Sequence, residues 1–232
     1  MIKDRLARFQ EEIVRICQRC GRNPQEITLV GVTKWATVKD IEEALSAGLH
    51  HIGENRVQQA KEKFPSLHLR EPTVTKHMIG HLQTNKVKAA LSLFDMIQSV
   101  DNLQVAKEMD EEADKAKQTI DLLIQVNTSG ESQKFGLPPI QTSRLLQAIS
   151  EFKNLRTLGL MTMAPLTDNQ VVIRHCFAQM WELREQLSKH WGGHPRIDLK
   201  YLSMGMTNDY PIAIEEGANM LRIGRAIFGK DK

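Results

Sequence analysis

The chain has 232 residues, 41% of them hydrophobic and 25% charged, and Lys plus Arg exceed Asp plus Glu by three, 31 against 28. That is the make-up of a globular protein whose balanced surface lacks a broad basic footprint, so nucleic acid is not an expected partner. No apolar run approaches the ~18 residues of a membrane-spanning helix, and Met1-Ile2-Lys3-Asp4-Arg5 lacks a signal-peptide core, so a cytoplasmic location, no membrane partner and three reduced cysteines are expected.

Leu6, Phe9, Ile13, Ile16 and Cys17 recur at three- and four-residue steps and Gly21 follows them, which predicts an N-terminal helix. Cys17 and Cys20 are then two positions on that helix. Their C-x-x-C lacks the second ligand pair or the following βαβ unit that a metal or redox role requires. A β-branched run predicts a strand over 27–33, and Ile41, Ala44 and Leu45 mark a helix over 38–47 ended by Gly48. The alternation continues: strand 51–53, helix 55–64 before Pro65, strand 73–79, helix 83–93, strand 96–100. A charged helix over 101–117 follows, with Glu111 four residues before Lys115. Then come strand 120–126, a proline-led helix over 138–152, strand 155–160, helix 169–189, strand 199–202, helix 210–216 and strand 220–223.

Eight strands alternate with helices, and several read apolar on both faces, as strands of a helix-covered parallel sheet do. The predicted fold class is α/β, a single (β/α)8 TIM barrel over 1–232 with an extra N-terminal helix. An open doubly wound sheet is the rival, but no G-x-G-x-x-G follows the first strand. Barrel chemistry sits at the C-terminal ends of the strands. Lys34 ends strand one. Ser203-Met204-Gly205-Met206-Thr207 follows strand seven, and Arg222-Ile223-Gly224-Arg225 closes strand eight; both read as phosphate-binding loops. Closure of the barrel brings all three to one rim. An amine there is either a carbonyl-trapping nucleophile or a solvated loop charge.

Taken together these segments resemble the YggS/PROSC family of pyridoxal phosphate homeostasis proteins, whose fold is similar to the N-terminal barrel of alanine racemase. The resemblance runs from Leu29 to Gly229. It is carried by Val32-Thr33-Lys34, Gly53-Glu54-Asn55, Ile79-Gly80-His81-Leu82-Gln83-Thr84-Asn85-Lys86, Lys134-Phe135-Gly136, Leu202 to Asp209 and Arg222 to Gly229. It implies that Lys34 forms a Schiff base with the aldehyde of pyridoxal 5′-phosphate (PLP). It implies that Ser203 and Thr207, with backbone groups of Gly224 and Arg225, hold the phosphate. Arg222 then faces the pyridine nitrogen, and Asn55 lies near the lysine and the ring. One departure is visible: Trp35-Ala36-Thr37 stands where the family often carries a second lysine and a proline.

Two placements fit Arg222 from the strand pattern. It points into the barrel with Met220, or it reaches solvent and pairs with Glu215 or Glu216. Inward, it keeps the ring nitrogen unprotonated, a poor arrangement for carbanion chemistry. The expected function is therefore intracellular PLP homeostasis and carriage to apo-enzymes, with no catalytic residues, by a monomer. The alternative is a weakly active PLP-dependent racemase or lyase. Racemases draw a second base, a tyrosine, from another subunit and carry an extra β domain; Tyr201 and Tyr210 are the only tyrosines here. His77 and His81 flank a strand end and share no helical face, so no metal site is expected. His81 fits the mouth of the pocket or an ordinary loop. Lys134 reads as a solvated loop charge or a second cofactor contact. Met161, Met163, Met204 and Met206 read as core filling.

Overall fold

The computed structural model describes residues 1–68, 74–131 and 133–229. Eight parallel strands close into a barrel in chain order. They are β1 (Thr28–Val32), β2 (His51–Glu54), β3 (Thr75–Met78), β4 (Met96–Val100), β5 (Ile120–Gln125), β6 (Leu155–Met161), β7 (Ile197–Ser203) and β8 (Met220–Ile223). The seam closes through β1 and β8, where Val30 is the register partner of Arg222. Around the strands run α1 (Ile2–Arg19), α2 (Val38–Ser46), α3 (Val57–Lys63), α4 (Val87–Leu91), α5 (Leu103–Ala116), α6 (Pro139–Ser150), α7 (Gln170–Trp191), α8 (Tyr210–Glu215) and α9 (Arg225–Phe228).

The predicted N-terminal helix is α1. Its buried stripe of Ile2, Leu6, Phe9, Ile13, Ile16 and Cys17 packs against α2, α8 and α9, so it covers the helical layer at the seam. Thr37 opens α2 with a reciprocal capping box: its hydroxyl accepts from the Asp40 amide, and the Asp40 carboxylate accepts from the Thr37 amide.

Apolar side chains divide by strand parity. Val30, Met96, Leu123, Leu158, Met161 and Met220 fill the barrel interior with Tyr201 against them. Outward neighbours such as Ile52, Ile97, Leu122, Leu221 and Ile223 join the larger core between strands and helices. Gly159 is obligatory in this wall. Its φ is +150°, and a Cβ there would lie 2.0 Å from the carbonyl oxygen of Tyr201, where the β6–β7 register shifts.

Boundaries differ from expectation in places. The helix predicted from 55 begins at Val57, because Arg56 stays extended. The helix predicted over 83–93 is a 3-10 turn at Thr84–Lys86 leading into the five residues of α4. β7 starts at Ile197; exposed Asp198 and Lys200 alternate with Leu199 and hid its first turns of pleat. Thr73, the predicted start of the third strand, lies outside the described residues.

Candidate functional site

Lys34 leaves β1 in a turn and is half-buried. Its Nζ lies 4.2 Å from the centroid of the exposed Trp35 ring, and among the described residues it has no hydrogen-bond or ion-pair partner. The backbone beneath it is held far more firmly. Thr33 donates its amide to Gly53 O (2.9 Å) and its hydroxyl to Glu54 Oε1 (3.0 Å). Lys63 donates to Thr33 O and to Glu54 Oε1, both at 2.8 Å. Glu54 is fully buried, and its other oxygen accepts the Asn55 amide at 3.1 Å. A buried carboxylate is tolerable because each oxygen is bonded and a cation is in contact. Three elements, the β1 end, the β2 end and α3, are thereby fixed to one another.

Asn55 follows β2 on the parity of His51 and Gly53. Its side-chain Oδ1 is buried with no hydrogen-bond partner among the described residues. Its backbone lies against Gly80, where a Cβ would stand 2.1 Å from Asn55 O. The Ser99 hydroxyl donates to Gly80 O at 2.6 Å and fixes that approach from β4. An orphaned buried acceptor is costly, and a ligand donor is one way of satisfying it.

Arg222 points into the barrel and is 4% exposed. Nη1 donates to Ser203 Oγ and Nη2 to Thr162 O, both at 2.7 Å. The alternative pairing with Glu215 and Glu216 does not occur; both carboxylates bind Arg174, at 2.6 and 2.5 Å. Burial lowers the Arg222 guanidinium to about 10, with Asp209 acting in the opposite sense. It is thus a buried cation whose hydrogen-bond partners are neutral, and two bonds leave donors over for a further acceptor.

The two loops expected to hold phosphate meet at the rim. The Arg225 side chain donates to Asn208 Oδ1 at 3.2 Å, tying the β8 loop to the β7 loop. Gly205 is held at φ +98° with Ala213, Leu221 and Tyr210 crowding the position of a Cβ. Met206 donates its amide to the buried Asp209 carboxylate, whose pKa burial raises. Among the described residues the amides of Thr207 and Asn208 have no acceptor. Those of Arg225 and Ala226 begin α9 and have no intrahelical acceptor. Helices of six and four residues add little macrodipole, so the free loop amides are the main donors this rim offers. Ser203 differs from expectation: its hydroxyl is wholly buried, accepting from Arg222 and donating to Gln98 Oε1 at 2.6 Å. It serves Arg222 and has no proton left for a phosphate.

Other candidates resolve simply. His81 stacks on Phe135, centroids 4.0 Å apart, with Asp101 beside its Nδ1. Lys134 is not a solvated charge: it pairs with Glu131 and donates to Ala164 O at 2.9 Å, joining the β5 and β6 loops. Cys17, Cys20 and Cys176 are free thiols, and no metal-ligand cluster occurs among the described residues. Met161 and Met204 are buried, while Met206 is exposed on the rim. Sequence reasoning missed Lys63 and the interior set His51, His77 and Gln98. The signal for His77 and Gln98 was available: polar side chains inside otherwise apolar strands must be bonded to something.

The alanine racemase N-terminal domain family matches residues 5–232. The chain is 38% identical over 229 residues to the pyridoxal phosphate homeostasis protein of Aquifex aeolicus, covering 99% of this chain and 98% of that one. The chain belongs to the pyridoxal phosphate homeostasis protein family. The Escherichia coli K12 member is 35% identical, with 98% and 96% covered. PipY of Synechococcus elongatus, solved with PLP bound, superposes with a TM-score of 0.85 at 33% identity, covering 99% of this chain and all of that one. Alanine racemase of Clostridium difficile shares the fold, with a TM-score of 0.71 at 12% identity over 56% of its length. The donor set here fits the cofactor named for the family: an unpartnered amine for an aldehyde, a fixed cationic donor for a ring nitrogen, an orphaned amide oxygen, and loop amides for an anion.

Proposed function

We propose that this protein binds PLP through a Schiff base on Lys34 and serves as an intracellular reservoir that passes the cofactor to apo-enzymes. Condensation of the Lys34 amine with the aldehyde releases one water and involves no redox change. Arg222 donates to the pyridine nitrogen. Asn55 accepts beside the lysine. The amides of Thr207, Asn208 and the Gly224-Arg225 turn bind the phosphate, with Ser203 acting through Arg222. PLP supplies a reactive aldehyde and an electron-accepting ring, and these residues retain both without promoting turnover.

The observation that carries the reading is Arg222. Val30 of β1 is its register partner, and Lys34 stands in the turn two residues beyond the end of β1, so the amine-bearing turn and the guanidinium belong to neighbouring segments at the C-terminal mouth of the barrel. A guanidinium does not give up its proton to the ring, which keeps the ring a weak electron sink. The tyrosines offer no second base there: Tyr201 packs against the interior apolar cluster, and Tyr210 bonds Glu12 and packs on Phe9 of α1. A weakly active racemase or lyase is the competing reading, and it requires solvent exchange of a substrate α-proton dependent on Lys34. A monomer suffices, since every residue invoked comes from one chain.

The test is a visible spectrum of purified protein with PLP before and after borohydride, beside Lys34→Ala. A yellow band trapped on the Lys34 peptide and absent in the variant supports the reading. No band in the wild type overturns it.

A further inference from the structure

Five side chains form an unbroken hydrogen-bonded chain through the barrel: Arg222, Ser203, Gln98, His77 and His51. The distances are 2.7 Å from Arg222 Nη1 to Ser203 Oγ and 2.6 Å from Ser203 Oγ to Gln98 Oε1. They are 2.9 Å from Gln98 Nε2 to His77 Nδ1 and 3.0 Å from His77 Nε2 to His51 Nδ1. We propose that Gln98 and His77 are positioning residues which, through Ser203, hold Arg222 in the orientation that presents its remaining donors to the PLP ring.

Arginine only donates, so Ser203 accepts from it and must send its own proton onward to Gln98 Oε1. That fixes the Gln98 amide: its NH2 faces His77 Nδ1 and, at 3.2 Å, Met220 Sδ. His77 Nδ1 is then an acceptor, its proton sits on Nε2, and it donates to His51. The direction of every bond follows from the one residue that cannot accept. Complete burial favours the neutral His77 that this requires, pushing its pKa down to about 3. His51 is the first residue of β2, so the chain runs from the N-terminal end of the barrel to the proposed cofactor's underside. A guanidinium with no carboxylate in hydrogen-bond contact needs such directional neutral support to hold one orientation.

This inference rests on the PLP reading, and the experiment separates the two. Long-range proton–nitrogen NMR of the histidine side chains, with and without PLP, is expected to give His77 as the neutral Nε2–H tautomer. An Nδ1–H tautomer or an imidazolium in the wild type overturns the chain. Gln98→Met removes donor and acceptor at nearly constant shape, so the hydrogen-bonded signature of His77 Nδ1 is expected to be lost; an unchanged His77 spectrum overturns the proposal. Gln98→Leu is expected to keep the borohydride-trapped adduct on Lys34. It should also shift the visible band in the direction seen for Arg222→Lys and release PLP to a scavenger about tenfold faster. An adduct with wild-type band and release rate in both Gln98 variants overturns the positioning role and leaves the PLP reading intact. No adduct in the wild type removes both.

Discussion

Lys63 Nζ lies 2.8 Å from the carbonyl oxygen of Thr33 and 2.8 Å from Glu54 Oε1, so one ammonium ties α3 to the residue immediately before Lys34. The Lys63 side chain is 17% exposed and that of Glu54 not at all. The pair therefore acts as an anchor for the amine-bearing turn and gains little from solvent.

Removing one partner leaves the other charge buried. Lys63→Met is expected to cost about 3–5 kcal/mol in chemical denaturation. Adding Glu54→Gln should recover much of that loss, because the remaining carboxamide still accepts from Thr33. Equal stability of the single and double variants would contradict the anchor.

Among the described residues the Lys34 amine has no hydrogen-bond or ion-pair partner and lies over the Trp35 ring. Lys34→Ala is expected to change unfolding stability by less than about 0.5 kcal/mol while abolishing the borohydride-trapped PLP peptide. A large fall in melting temperature would assign the residue a packing role instead.

Gly80 is required by sterics and not by φ. In Gly80→Ala the new Cβ would meet the Asn55 carbonyl at 2.1 Å, and backbone must move. The expected cost is about 1–3 kcal/mol, with weaker retention of PLP because Asn55 is displaced. Equilibrium unfolding and a PLP titration measure the two effects separately.

His77 makes stability depend on pH. Burial, reinforced by His51, lowers it from 6.5 to about 3, so the folded state holds the neutral form. As pH falls below 6.5 the unfolded chain takes up this proton first. Stability fully present above 6.5 is then lost at about 1.4 kcal/mol per pH unit down to about 3. The lowered His51 acts in the same direction, and the raised Asp209 opposes it between 3.8 and its raised folded value. Urea unfolding followed downward from pH 6.5 should show the dependence steepen toward this slope over about one pH unit in the wild type and stay shallower in His77→Gln.

Much of the architecture was legible because it is periodic. Inward and outward residues alternate along strands such as β1 and β8, and α1 repeats its apolar stripe every three or four residues. Eight such alternations leave few topologies but a closed barrel. Lys34, Arg222 and the two glycine-containing loops were legible as well, since each sits at the C-terminal end of a strand. Boundaries slipped where periodicity is overridden: Arg56 stays extended beside a buried carboxylate, and β7 begins among charged residues.

What the sequence determined by itself was thus the barrel, its rim and the family, all products of local pattern and short motifs. The inward direction of Arg222, the service of Ser203 to it, the Glu54–Lys63 anchor and the chain through Gln98 and His77 were decided only by tertiary structure. The reason is physical. Each is a hydrogen bond between groups on different elements, and its partner is chosen by barrel closure and by the cost of leaving a buried polar atom unpaired, neither of which has a period along the chain.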